Sequence, residues 1–228
     1  GLVEVHHYRP FSDAQLLSVL QESDREITVL DRTKEPGAAG EPLYLDVAAA
    51  LRNSRFRSVP VFSGRYGLSS KDTDPSQIYA VFRNRAPAGK QVFTLGITDD
   101  VTHLSLDIRE FINAGSSSAI CCKFWGLGGD GTVSANKNSV KIIGNHTDKY
   151  VQAYFDYDSK KSRGLTVSHL RFSDSPIRSP YLVRQADFVA CHNPAYLHKY
   201  NMVQDVKDGG TFLLNCYYKE EELEQYLP

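Results

Sequence analysis

Residues Gly126–Lys137 read GLGGDGTVSANK, and their reading decides the fold of the second half of the chain. The apolar run before them, Ala119–Trp125 (AICCKFW), is expected to form a buried strand, and Thr132–Ile143 after them a helix. A glycine-rich turn between strand and helix leaves backbone N–H groups without intrahelical partners at the positive end of the helix dipole. That end favours a phosphate. Glycine also lets the backbone approach a ligand that a Cβ would hold off. The stretch therefore points to a phosphorylated ligand.

The same alternation of strand and helix extends to both sides. In the first half, Val3–Arg9 reads as a strand, and Ser12 caps a helix over Asp13–Gln21 with Leu16, Leu17 and Leu20 on one face. Glu26–Leu30 reads as a strand, and Thr33–Pro42 as a loop broken by Pro36, Gly37, Gly40 and Pro42. A helix over Leu43–Asn53, a strand at Val59–Ser63, a helix around Pro75–Phe82 and a strand at Val92–Ile97 follow. Beyond the glycine turn, Tyr150–Phe155, Leu165–Arg171, Ala186–Cys191 and Thr211–Asn215 read as strands, with a short helix near Pro194–Tyr200. This order predicts an α/β fold with mostly parallel sheets. Asn113–Ala119 (NAGSSSA) is the small, polar run expected to join two units.

Composition narrows the function classes. Hydrophobic residues make up 41% and charged residues 23% of 228 residues, an ordinary balance for a globular protein. No apolar stretch approaches the roughly 20 residues of a spanning helix, so no membrane is expected. The start, GLVEVHHYRP, has no signal-peptide order. A net charge of −1 argues against a general nucleic-acid binder. Cys121, Cys122, Cys191 and Cys216 form neither a CxxC pair nor a zinc spacing, and are expected to be reduced core thiols of a cytoplasmic protein. A chain that begins at Gly1 with Met202 as its single methionine is expected to be a piece of something longer. Between Lys137 and Arg184 basic residues outnumber acidic ones, and from Asp205 onward the balance reverses. A basic window after the turn is what a ligand with several phosphates would need, although it reads equally as a solvated face.

Several motifs compete for the glycine turn. Gly126, Gly128, Gly129 and Gly131 approach the dinucleotide fingerprint without matching its spacing. A Walker A reading fails, since no GK[ST] follows. A thiamine-diphosphate motif would open with Gly129-Asp130-Gly131, but Asp156, Tyr157 and Asp158 stand where its Asn pair belongs. Asp156 and Asp158 lie where an acid for ribose hydroxyls would sit, whereas Lys160 and Lys161 suit a phosphate on the ribose. The residues alone leave NADP and coenzyme A open. His6 and His7 point to opposite sides of an extended segment and make poor joint ligands. His169 reads as a satisfied strand histidine, and Glu35, Glu41 and Asp46 as capping or surface acids rather than a carboxylate site.

Longer stretches carry a more specific signal. CKFWGLGGDGTVSANKNSVKIIG, YFDYDSKKSRGLTVSHLRFSDSPIRSPYLV and ADFVACHNPAYL resemble the pyruvate:ferredoxin (flavodoxin) oxidoreductase family, as do YRPFS, ITVLDRTKEPGAAGEPLYLDV and GRYGLSSKD in the first half. Ser134 and Arg163 depart from the family's usual glycines. The resemblance implies two Rossmann-like, transketolase-C-terminal-like units: residues 1–115 as part of a transketolase-C-terminal-like domain, and 119–228 as part of a gamma-type, coenzyme A-associated domain. It implies a parent enzyme that makes acetyl-CoA and carbon dioxide from pyruvate by thiamine-dependent oxidative decarboxylation. The parent's partners would be ferredoxin or flavodoxin, the other domains of the same polypeptide, and a second subunit in a homodimer. Thiamine diphosphate, Mg2+ and 4Fe-4S clusters belong to other parts of that enzyme, and this segment is expected to be catalytically incomplete. Carried over by position, Gly128, Gly129, Asp130, Gly131 and Thr132 would hold coenzyme A phosphates through backbone N–H groups, with Lys160 and then Lys161 pairing a phosphate. A stand-alone NADP(H)- or nucleotide-binding module is the alternative.

Overall fold

The computed structural model describes residues 1–157, 164–223 and 225–226. The chain divides into two compact units, Gly1–Asn113 and Ala114–Pro228.

In the first unit, Ser12 caps α1 (Asp13–Val19) by accepting the Gln15 amide, as its sequence position predicts. β1 (Ile27–Asp31), β2 (Val61–Arg65) and β3 (Val92–Thr94) form a parallel sheet in that order. Alternation along β1 and β2 sorts the core into two faces. Val29, with Ile27 and Val61, packs against Val47 and Leu51 of α2 (Pro42–Arg52), while Phe62 and Phe93 pack against Val81 of α3 (Pro75–Arg83). Gly64 faces the α3-side layer, where a Cβ would meet the Phe93 ring at 2.5 Å. The segment Val3–Arg9 is not a strand: it is largely exposed and, among the described residues, pairs with no sheet. Its alternation cannot be told from that of a strand by sequence, since the hydrogen-bonding neighbour is what is missing.

The second unit is a five-stranded sheet of order β5-β6-β4-β7-β8. β4 (Ile120–Leu127), β7 (Ala186–Cys191) and β8 (Val206–Leu214) run parallel. β6 (Leu165–Ser173) runs antiparallel to both β4 and β5 (Tyr150–Tyr157), so four strands share one direction and β6 is reversed between them. α4 (Thr132–His146) joins β4 to β5 and lays Val140 and Ile143 on Cys122, Leu170 and Phe172. The opposite face carries Val189, Cys191, Tyr196, Leu197 and Met202. A last short helix, α5, spans Glu220–Leu223. Among the described residues no helix is long and apolar enough to cross a membrane.

Candidate functional site

The turn after β4 is built to bend. The Asp130 amide donates to the Leu127 carbonyl at 2.9 Å, closing four residues whose third, Gly129, has φ +92°. A type II turn requires that left-handed value, and glycine adopts it without a Cβ penalty. Gly131 (φ +91°) precedes α4 and accepts the Ala135 amide through its carbonyl. Gly126 serves a different need: a Cβ there would meet Thr132 Oγ1 at 2.6 Å, so its absence lets the helix start settle on the strand. The Gly126 carbonyl is fixed by two hydroxyl donors, Thr166 Oγ1 at 3.1 Å and Tyr196 Oη at 3.3 Å.

Three of the five amides expected to face a phosphate are already engaged. Gly128 N–H donates to the Gly164 carbonyl at 2.7 Å, Asp130 N–H to Leu127, and Thr132 N–H to Asp130 Oδ1 at 2.8 Å. The other oxygen of Asp130 accepts Leu127 N–H at 2.7 Å. Burial pushes this carboxyl up, but the Thr132 and Leu127 amides outweigh that and hold it below the ordinary carboxylate range, with His192 adding to the effect. An internal carboxylate therefore lies at the start of α4, where an anion is favoured. Gly129 and Gly131 are exposed, with open space at both Cβ positions, and among the described residues their N–H groups have no hydrogen-bond partner. The expected anion contacts thus contract to these two amides. Lys160, Lys161, Asp158 and Arg163 lie outside the described residues.

The strand order sets a topological switch point beside the turn. β4 leads into α4 on one face, while β7 leads into residues 193–205, which pack on the other face through Tyr196, Leu197 and Met202. Adjacent parallel strands whose connections leave on opposite faces part at their carboxyl ends, the usual place for a ligand in an open α/β sheet. His192 lines that place, its N–H on the Trp125 carbonyl at 2.9 Å and its ring parallel to Phe124 at 6.3 Å. Asn136 on α4 is buried, and its Nδ2 has no hydrogen-bond partner among the described residues. Asp156, a candidate for ribose hydroxyls, is instead exposed on edge strand β5, with reversed β6 between it and β4. Insertion of β6 between β5 and β4 is what sets Asp156 apart from the switch point.

Other side chains have structural roles. His169 is buried and accepts the Val183 amide at Nδ1; burial, with the charges of Lys123 and Arg171, drives its imidazole down to about 3. All four cysteines are free; Cys122 and Cys191 are buried, and burial pushes the Cys122 thiol up to about 11. Glu41 pairs with Arg65 at 3.1 Å and accepts the Glu35 amide at 2.7 Å, and Asp46 accepts from Tyr8 and Arg9, so these carboxylates are engaged in contacts that hold the first unit together. Asp31, at the end of β1, caps α2 by accepting Leu43 and Tyr44 amides, each at 3.1 Å. Both units thus close a helix with a carboxylate from beside the preceding strand. The sequence reading missed the buried pair of Lys123 and Asp205, 2.6 Å apart. A lysine inside the apolar run AICCKFW was the available signal.

Residues 121–228 match the family described as pyruvate ferredoxin/flavodoxin oxidoreductase. Over its whole length it is 55% identical to the pyruvate:ferredoxin oxidoreductase of Moorella thermoacetica and 53% identical to the pyruvate-flavodoxin oxidoreductase of Enterobacter agglomerans. It spans 20% of the length of each of these relatives. A crystal structure of pyruvate oxidoreductase subunit PORC from Thermotoga maritima matches 49% of this chain and 57% of its own at 20% identity, with a TM-score of 0.41.

Proposed function

We propose that the chain is a segment of an enzyme that oxidatively decarboxylates pyruvate to acetyl-CoA and carbon dioxide and passes the electrons to ferredoxin or flavodoxin. The observation that carries this reading is 55% identity to such an enzyme across all of this chain. In it, residues 1–115 form the transketolase-C-terminal-like part and residues 119–228 the coenzyme A-associated part. Thiamine diphosphate and iron–sulfur clusters, held by other parts of the polypeptide, supply the decarboxylation and electron-transfer chemistry.

The contribution of the second unit is to bind coenzyme A. The N–H groups of Gly129 and Gly131, unpartnered among the described residues, fit one phosphate, each charge-assisted hydrogen bond contributing about 1.5–3 kcal/mol. Asp130 shapes the turn and opposes excess negative charge, so the cationic side chain of Lys160 is needed as a counterweight. Coenzyme A supplies the thiol that accepts the acetyl group; the segment's role toward it is positioning.

Steady-state turnover of the full-length enzyme tests both levels. Pyruvate-dependent reduction of a viologen dye that requires coenzyme A is expected, and its absence would refute the parent assignment. Lys160→Ala is expected to raise the KM for coenzyme A while leaving that for pyruvate unchanged. A matching loss with dephospho-CoA would show that Lys160 does not contact the 3′-phosphate.

A further inference from the structure

The loops that follow β2 and β3 lie at one end of the first unit's parallel sheet, the end where open α/β sheets hold their ligands. Lys71 in the first loop and Asp99 in the second form an ion pair at 3.2 Å, which ties the two loops together. Gln77, in the first turn of α3, makes a second contact between them. Its amide lies over Gly96, where an added Cβ would meet Nε2 at 2.7 Å and Oε1 at 3.4 Å.

Three oxygens at this junction are left over. Gln77 is 6% exposed, and its Oε1 has no hydrogen-bond partner among the described residues. Thr73 Oγ1, two positions after Lys71, and Asp100 Oδ1, next to Asp99, are likewise buried and unpartnered there. The second Asp100 oxygen accepts the Thr102 hydroxyl. Burying an acceptor without a partner costs free energy, so these oxygens call for a donor or a cation. Local charge decides between the two. Across residues 71–74 and 99–100, Asp72, Asp74, Asp99 and Asp100 stand against Lys71 alone. A neutral donor such as water leaves that excess in place, whereas a cation offsets it.

Among the described residues no three carboxylate, histidine or cysteine side chains gather as metal ligands. The donor set here is mixed instead: one carboxylate, one amide and one hydroxyl oxygen, all hard ligands. Such a set suits Ca2+, which takes about six to eight oxygens in flexible geometry, with waters and backbone carbonyls completing the shell. Mg2+ demands a near-ideal octahedron and fits less well.

We propose that Thr73 Oγ1, Gln77 Oε1 and Asp100 Oδ1 bind one Ca2+ ion, which clamps the loop after β3 to the start of α3. The clamped loops contain Ser69, Ser70 and His103, the non-glycine residues of positive φ among those described. Backbone of that kind persists where its surroundings over-determine it, and a bound ion supplies such a constraint. The site belongs to the first unit and stands independently of the reading of the glycine turn.

The test is binding of radioactive Ca2+ to the full-length protein after treatment with EGTA, measured by equilibrium dialysis. Asp100→Asn is expected to lose one ion per chain relative to wild type, or to hold it roughly tenfold more weakly. Gln77→Glu adds a carboxylate of the same shape and is expected to tighten that ion by roughly the same factor. Equal stoichiometry and affinity in the three proteins would overturn the proposal and leave water as the partner of these oxygens. Thermal unfolding supplies a second measurement. Ca2+ is expected to raise the Tm of wild type by several degrees over EGTA, more for Gln77→Glu and less for Asp100→Asn. The same shift in all three, or none in any, would count against the site.

Discussion

Asp130 and Thr132 are joined by a 2.8 Å hydrogen bond from amide to carboxylate that closes the start of α4 from within the chain. The same side chain accepts Leu127 N–H, so one acid both ends β4 and begins the helix. A phosphate bound as proposed at Gly129 and Gly131 would meet this carboxylate as a neighbour, and the balance between the two anions would govern its affinity.

Replacing Asp130 with Ala should therefore destabilise the second unit by about 1–2 kcal/mol, the usual cost of a lost helix cap. Because the folded carboxyl is held low, its contribution is complete above the unfolded value of about 3.9 and is lost as pH falls through the lower folded value. Urea denaturation at pH 7 and pH 3 measures this, and an equal mutant–wild-type difference at the two pH values would contradict it. Asp130→Asn should lower the KM for coenzyme A in the full-length enzyme by removing like-charge repulsion.

Lys123 and Asp205 sit 2.6 Å apart with side chains 10% and 15% exposed. Asp205→Ala strands a buried ammonium and should cost about 3–5 kcal/mol, whereas replacing both partners with apolar residues should cost far less. A denaturation double-mutant cycle decides the matter, and additive losses would argue against the pair.

His169 should remain neutral throughout the physiological range. With its folded value near 3 and an unfolded value of about 6.5, its contribution to stability is complete above about pH 6.5 and declines as pH falls toward 3. Ring resonances followed by NMR should not titrate between pH 8 and pH 5. A midpoint near 6.5 would show that the burial is wrong.

Two glycines in the same motif should respond differently. Gly129→Ala meets open space and suffers only its positive φ, roughly 1 kcal/mol. Gly126→Ala would drive a methyl into Thr132 and should cost about 1–3 kcal/mol. Thr132→Ala should partly rescue the second variant and not the first, as thermal unfolding of the two doubles would report.

Local signals proved legible wherever the chain itself supplied both partners. Ser12 before α1 and Asp74 before α3 each cap through a bond spanning three residues, and those helix starts agree with the sequence. The turn from Leu127 to Asp130 is likewise a short-range event written in its glycines. What escaped detection depends on distant contacts. Val3–Arg9 has the alternation of a strand but no neighbour, and the reversal of β6 leaves no periodic mark in Leu165–Ser173. The glycine turn was visible as a motif. That Gly128 and Thr132 spend their amides internally was not, because one acceptor, Gly164, is remote in sequence and the other is a side chain with more than one possible use.

The bond from Gly128 to Gly164 ties the entry of β6 to the turn after β4. Since β6 runs against β4, the connection leading into β6 is moored to the bend ahead of α4, and Lys160 lies four positions before that mooring. A change at Gly164 would therefore be felt at the helix start while the ladder of β4 and β6 stays intact. Gly164 acts, in effect, as a tuning peg for the anion grip proposed at Gly129 and Gly131, placed outside the grip itself.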